Sequence, residues 1–311
     1  MNYGLRVGYG PQLKSYSATE PLVIKMEQLK RVPLKPVEEA RLAARDIADK
    51  LGRTPWVCLS GGLDSEATAY AFLSAGVDFK AVTMQFEKDL NHHEVQYAID
   101  FCKQNGVKHE LIEIPVLDFY ETQKFQDYFH HFKAQTVEVC TQFYFLDQFT
   151  EPFVWSGEPM RLFRQDGDNV ILQAVSDFEQ MVYRYGEDKK RDCVPNFHFY
   201  SAELAWSFLR LSVGTRNEYY VDDHVADYYL QKNNFYRQGG FLLNHHTQRV
   251  TKAHGFEHLK IYFDDKYAGT EKTDYNSVYR KPWKDLYPTA KQNIVDIPKS
   301  DTIAKQILRF E

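Results

Sequence analysis

The sequence predicts an α/β protein: a parallel sheet covered on both faces by helices, after a short N-terminal β segment and before a mainly helical region. Three observations predict it. Between residues 56 and 156 short apolar runs alternate with segments of helical spacing, the signature of strand–helix–strand units. One run stops at Ser60-Gly61-Gly62, and a helical pattern starts directly behind it. Beyond about residue 170 the alternation ends and aromatic residues become dense, as in Tyr219-Tyr220, Tyr228-Tyr229 and Phe235-Tyr236.

Residues 1–35 form the β segment, with Gly4, Gly8 and Gly10 as turn punctuation and residues 21–26 as a strand. Residues 36–170 form the main α/β domain. Pro36 suits a first helical position, Val37, Ala40, Ala44, Ile47 and Leu51 recur at helical spacing, and Gly52 suits the stop. Residues 56–59 are the next strand and 65–75 a helix ended by Gly76. Strand 79–86 follows, then helix 93–104 with Val95, Ala98, Ile99 and Cys102 on one face, then strand 109–115. Residues 117–133 and 137–149 read as two aromatic-rich helices, and 152–156 as a fourth strand ending at Gly157-Glu158. In such sheets ligands sit beyond the carboxyl ends of the strands, where Ser60 and Glu158 both fall. Residues 171–311 are read as a helical region that builds the acceptor pocket, with the mixed-charge run 188–192 as a solvated loop.

The 311 residues, 43% of them hydrophobic, suffice for one large domain or two smaller ones. A net charge of −5 argues against a nucleic-acid partner. No apolar stretch approaches the roughly 20 residues of a membrane span, and the N-terminus carries no apolar signal core. These features lead to the expectation of a cytoplasmic protein without a membrane partner. Cys58, Cys102, Cys140 and Cys193 are widely spaced with no C-x-x-C pair, which predicts buried free thiols. The histidine pairs 92–93, 130–131 and 245–246 lack metal-ligand spacing, although His92 follows a strand closely enough to approach a ligand at its end.

Glycines after a strand let the backbone approach a ligand, and successive N–H groups ahead of a helix make an anion site. Ser60 and Ser65 add hydroxyl donors. Asp64 would repel a phosphate unless a divalent cation lay between them, and Mg²⁺ takes one or two carboxylates with phosphate oxygens. No lysine follows the glycines as in the common phosphate loop, and no G-x-S-x-G elbow is present.

Ser60-Gly61-Gly62-Leu63-Asp64-Ser65 resembles the SGGxDS signature of the PP-loop ATP pyrophosphatases, also called adenine nucleotide alpha hydrolases. Within that superfamily the chain is similar to the synthetase domain of asparagine synthetases and their β-lactam-forming relatives. The helix before SGGLDS, the helical run 135–149 and Ser156-Gly157-Glu158, like the family's SGE, carry this resemblance over residues 36–160. It implies a parallel five-stranded sheet sandwiched by helices. It also implies ATP and Mg²⁺ as cofactors, cleavage between the α and β phosphates, adenylation of an acceptor carboxylate, and its transfer to ammonia or an amine. By the same resemblance Ser60, Gly61, Gly62, Leu63, Asp64 and Ser65 hold the pyrophosphate, and Asp64 binds Mg²⁺. Leu59, Val82, Met84 and Gly157 line the adenosine pocket. Glu158 orients the nucleophile or takes its proton.

A lysine from the second region balances the leaving pyrophosphate; Lys281 is the choice here, with Lys252 and Lys272 as the other candidates. The sequence departs from the pattern at Arg161, which stands at the place of a metal-holding acid, with Asp166 or Asp168 as substitutes. The roughly 35 residues before the first helix leave no room for a glutaminase domain. Two other readings stay open: a PP-loop enzyme modifying tRNA or a deazapurine or other nucleobase precursor, and a non-catalytic ATP-binding protein.

Overall fold

The computed structural model describes residues 5–134, 136–166, 169–173, 177–215, 225–243, 255–271, 274–287, 293–296, 298 and 300–308. In chain order, β1 (Leu5–Tyr9) and β2 (Leu22–Met26) lead to α1 (Pro36–Leu51), β3 (Trp56–Cys58), α2 (Leu63–Ser74), β4 (Lys80–Phe86), α3 (His92–Asn105) and β5 (Lys108–Ile114). Then come α4 (Val116–Phe119), α5 (Gln123–Phe132), α6 (Val137–Leu146), β6 (Phe153–Val154), β7 (Arg161–Asp166), β8 (Asn169–Gln173) and α7 (Asp177–Lys189). The last part holds β9 (Cys193–Val194), α8 (Ala202–Thr215), α9 (Val225–Gln238), α10 (Glu257–Tyr267), α11 (Lys281–Leu286), β10 (Asn293–Asp296) and α12 (Thr302–Leu308).

The main sheet has five strands in the order β5-β4-β3-β6-β9, and every pair in it is parallel. The predicted doubly covered parallel sheet is therefore present. Its residues show why both faces need cover. Along β3, Trp56 and Cys58 enter one core while Val57 enters the other. Phe153 and Cys193 join the first core, and Val154 and Val194 the second. Successive strand side chains point to opposite faces, so a strand with no polar face demands two apolar layers. Helices α1, α2 and α3 cover one face together with α8 and α9, through Ile47, Phe72, Phe101, Phe208 and Tyr236. Helices α5, α6, α7 and α10 cover the other, through Phe125, Phe143, Tyr185 and Phe263.

Beyond residue 170 the chain is mainly helical, but it also supplies the fifth strand of the main sheet, Cys193–Val194. Two residues of ladder carry too little periodicity to be read from sequence. The N-terminal segment is an antiparallel pair, β1 with β2, and β10 from the far end of the chain joins β2 in parallel. The two regions thus close on one another.

Two sequence expectations require correction. Residues 117–133 do not form one helix: α4 stops at Phe119, and α5 begins behind Thr122, whose hydroxyl accepts the Phe125 N–H at 3.4 Å. A threonine competes for backbone N–H groups and starts helices better than it continues them. The run 188–192 is not a solvated loop throughout. Asp188 and Lys189 end α7, and the Arg191 guanidinium donates to the carbonyls of Leu146 (2.5 Å) and Glu151 (2.6 Å). It lies 4.9 Å from both the Phe149 and Phe153 ring centres, so a planar cation closes the seam between α6 and the sheet. The four cysteines are free and buried, and burial pushes the Cys102 thiol up to about 12. Among the described residues no helix is long and apolar enough to cross a membrane.

Candidate active site

The turn after β3 is held from both sides. Leu59 donates its N–H to the Val82 carbonyl at 2.9 Å. Its own carbonyl accepts the Thr83 hydroxyl at 2.5 Å, and Thr83 in turn lies 2.8 Å from His109 Nε2. Inside the turn, Ser65 Oγ accepts the Ser60 N–H (3.1 Å), contacts Ser60 Oγ (3.0 Å) and donates to the Gly62 carbonyl (2.9 Å). Ser60 Oγ accepts the Gly62 N–H at 3.2 Å. The two serines thus brace the loop from within.

Gly61 has φ +92°, and a Cβ there would lie 2.2 Å from the Glu94 carbonyl oxygen. A side chain is excluded both by conformation and by the neighbouring α3. Helix α2 starts at Leu63 with Gly62 as its N-cap and no side-chain cap. Its first N–H groups and its dipole therefore remain available to an anion at the turn.

Gly157, at the end of β6, has φ +60°, and the Asn196 carboxamide occupies the place of its missing side chain, 2.1 Å from an added Cβ. Val82 is fully buried in the core beneath the sheet, and Met84 packs against that core partly exposed. Leu59 and Gly157 follow the carboxyl ends of β3 and β6, whereas Val82 and Met84 lie within β4, Val82 level with Cys58 of β3. Glu158 follows, with its side chain 40% exposed.

The charged centre assembles around a lysine that sequence reasoning passed over. Lys232 of α9, its side chain only 8% exposed, places Nζ 2.5 Å from Asp64 Oδ2 and 3.2 Å from Glu158 Oε1. Tyr236, one turn further along the same helix face, donates its hydroxyl to Asp64 Oδ1 at 2.6 Å. The phenol oxygen is also 3.2 Å from His198 Nε2, and His198 Nδ1 lies 2.8 Å from the Ser156 carbonyl. That carbonyl can only accept, so Nδ1 carries the proton. Burial holds the His198 pKa below its ordinary value, so the ring is neutral.

Asp64 and Glu158, both singled out from sequence, are therefore brought together by one ammonium. Lys281 is exposed at the start of α11, and the lysine set against Asp64 and Glu158 is Lys232. Lys252, Lys272 and Asp168 fall outside the described residues. Arg161 begins β7 and Asp166 ends it. His92 is exposed at the start of α3. The one sequence signal for the missed pair is its spacing: Lys232 and Tyr236 are four apart in a helix whose Phe235 is fully buried.

Two carboxylates are hard oxygen donors, and Mg²⁺ needs one or two of them when phosphate oxygens and water complete its shell. Asp64 and Glu158 fit that requirement; among the described residues no group of three or more His, Cys, Asp or Glu side chains gathers around a metal-sized space.

Residues 55–138 match the family described as queuosine biosynthesis protein QueC. No curated protein matches the chain in sequence. Among the solved structures, that of an NMN synthetase from Francisella tularensis aligns with 82% of this chain and 93% of its own at 14% identity and a TM-score of 0.33, a likeness too slight to carry fold or activity. The stretch matched by the QueC family holds the SGGLDS turn with β3, β4 and β5 around it, which supports an ATP-using PP-loop pyrophosphatase for this part of the chain.

Proposed function

We propose that this protein is an ATP-dependent, AMP- and pyrophosphate-forming ligase that adenylates an acceptor carboxylate and transfers it to ammonia or an amine. The observation that carries the reading is the buried Lys232 ammonium set between Asp64 and Glu158 beside a serine-braced Ser-Gly-Gly turn. A cation there balances charge that develops on a leaving pyrophosphate, and it does so from a preorganised, water-poor position.

In this reading the N–H groups at the start of α2 and the Ser60 and Ser65 hydroxyls hold the β and γ phosphates. The acceptor carboxylate oxygen attacks the α phosphorus; the new O–P bond replaces the bond to the bridging oxygen, and pyrophosphate leaves with that electron pair. Lys232 follows the leaving group. The nitrogen nucleophile then attacks the acyl carbon, AMP departs, and Glu158, partly exposed toward the strand ends, takes the proton lost from nitrogen. Mg²⁺, held by Asp64 with Glu158 nearby, supplies further neutralisation of the phosphates when bound.

A second reading differs in the acceptor. The QueC match over residues 55–138 favours a nucleobase precursor, such as a deazapurine carboxylate, as the group activated. The same loop chemistry serves both.

The test is ATP–pyrophosphate exchange with purified protein and Mg²⁺ against amino acids, dicarboxylates and deazapurine carboxylates. Exchange with an amino acid or dicarboxylate supports the first reading, and exchange with a purine-like carboxylate the second. ATP binding with neither exchange nor AMP release for any acceptor or added amine counts against both and favours a non-catalytic ATP-binding protein.

A further inference from the structure

The proposed chemistry leaves Tyr236 and His198 without a task, yet both are buried and joined to the site. Tyr236 is fully buried and His198 is 1% exposed. A phenol and an imidazole in a core need a reason, since their polar atoms must find partners there. Here the partners form a chain. The Ser156 carbonyl accepts from His198 Nδ1 at 2.8 Å, His198 Nε2 faces the Tyr236 oxygen at 3.2 Å, and Tyr236 donates to Asp64 Oδ1 at 2.6 Å. Lys232 takes Asp64 Oδ2 and reaches on to Glu158. Ser156 and Glu158 belong to the same strand end, so the chain runs from one end of Ser156-Gly157-Glu158 through His198, Tyr236, Asp64 and Lys232 back to its other end.

We infer that Tyr236 is a positioning residue that fixes the Asp64 carboxylate through Oδ1, so that Oδ2 stays turned toward the cation side of the site. The inference rests on the functional reading above and adds to it how Asp64 is kept in place. The two Asp64 oxygens have different partners. Oδ1 is bound to a rigid phenol whose ring is packed between Phe208 and Phe241, with centroids 5.9 Å and 5.4 Å away. Oδ2 is bound to an ammonium on a flexible stem. When phosphate arrives, the lysine can move to it without releasing the carboxylate. A partner held in place by packing is the arrangement that keeps a metal-facing carboxylate oriented. Helix α9 provides both contacts from positions four apart, so the carboxylate's anchor and the mobile cation share one rigid support.

The experiment measures Mg²⁺-dependent ATP binding by calorimetry on the full chain, with no acceptor added. Tyr236→Phe keeps the ring and removes the bond to Asp64. Tyr236→Met removes the hydroxyl together with the ring. Thermal unfolding checks that each variant is folded at the working temperature. Tyr236→Phe and Tyr236→Met are expected to raise the Mg²⁺ concentration for half-maximal ATP binding by about tenfold or more. Loss of stability alone would not move that midpoint in a folded sample. An unchanged Mg²⁺ requirement in folded Tyr236→Phe, beside normal binding by the unmodified protein, overturns the positioning role and leaves the functional reading standing. If Tyr236→Phe does not fold, Tyr236→Met decides in the same way. Absence of ATP binding by the unmodified protein overturns the functional reading and this inference with it.

Discussion

Lys232 is the residue on which the charged centre turns. Its ammonium is nearly buried and in contact with two carboxylates, so removing it leaves like charges facing each other and the turn without its cation. Lys232→Met is expected to lower pyrophosphate exchange by about 10²-fold or more, and stopped exchange assays at saturating ATP measure it. Arginine is not an equivalent replacement, because its planar fork presents donors in a fixed geometry where the lysine is a compact point charge on a flexible stem. Sequence reasoning reached Asp64 and Glu158 because each belongs to a local motif. It did not reach Lys232 because that lysine lies 168 residues from Asp64, and nothing in its own neighbourhood marks it beyond a helical spacing to Tyr236.

Among the elements, the sheet edge and α9 position the site. His109 on β5 reaches through Thr83 to the carbonyl of Leu59, so the strand beyond β4 steadies the residue before the turn. Burial lowers the pKa of His109 and of His198 below their ordinary 6.5. Below that value the unfolded chain binds protons that the folded protein excludes, so stability falls with falling pH. The contribution of both rings is complete above 6.5 and is lost as pH drops toward their folded values. Urea unfolding midpoints are therefore expected to be lower at about pH 5 than at about pH 7.5, and His109→Gln to flatten part of that slope. The elements themselves were largely legible. Three of the four predicted strands of the main sheet carry continuous apolar or β-branched runs, and Pro36 marked the start of α1. The break between α4 and α5 was not, because the aromatic residues on both sides continue a helical pattern and only a hydroxyl at Thr122 interrupts it.

At the scale of the whole molecule the chain ends are tied together away from the turn. Asp301, buried at the start of α12, accepts the N–H of Leu29 at 2.7 Å and of Ala304 at 2.9 Å. Asp301→Ala leaves a buried N–H without its partner and uncaps α12, which is expected to cost about 1–3 kcal/mol. Denaturant unfolding measures the loss, and the Kd for ATP should stay unchanged because these contacts lie in the small sheet and its own core with Leu5, Ile24 and Trp206. The sequence by itself determined the doubly covered parallel sheet, the strand–turn–helix at Ser60–Ser65 and the glycines that open it, because each depends on residues adjacent in the chain and on periodicity. Only the tertiary structure decided that β9 completes the sheet, that β10 closes on β2, and that α9 brings Lys232 and Tyr236 to Asp64. Those contacts join segments far apart in sequence, and they are selected by which apolar faces must be buried together, a property of the whole packing rather than of any local stretch.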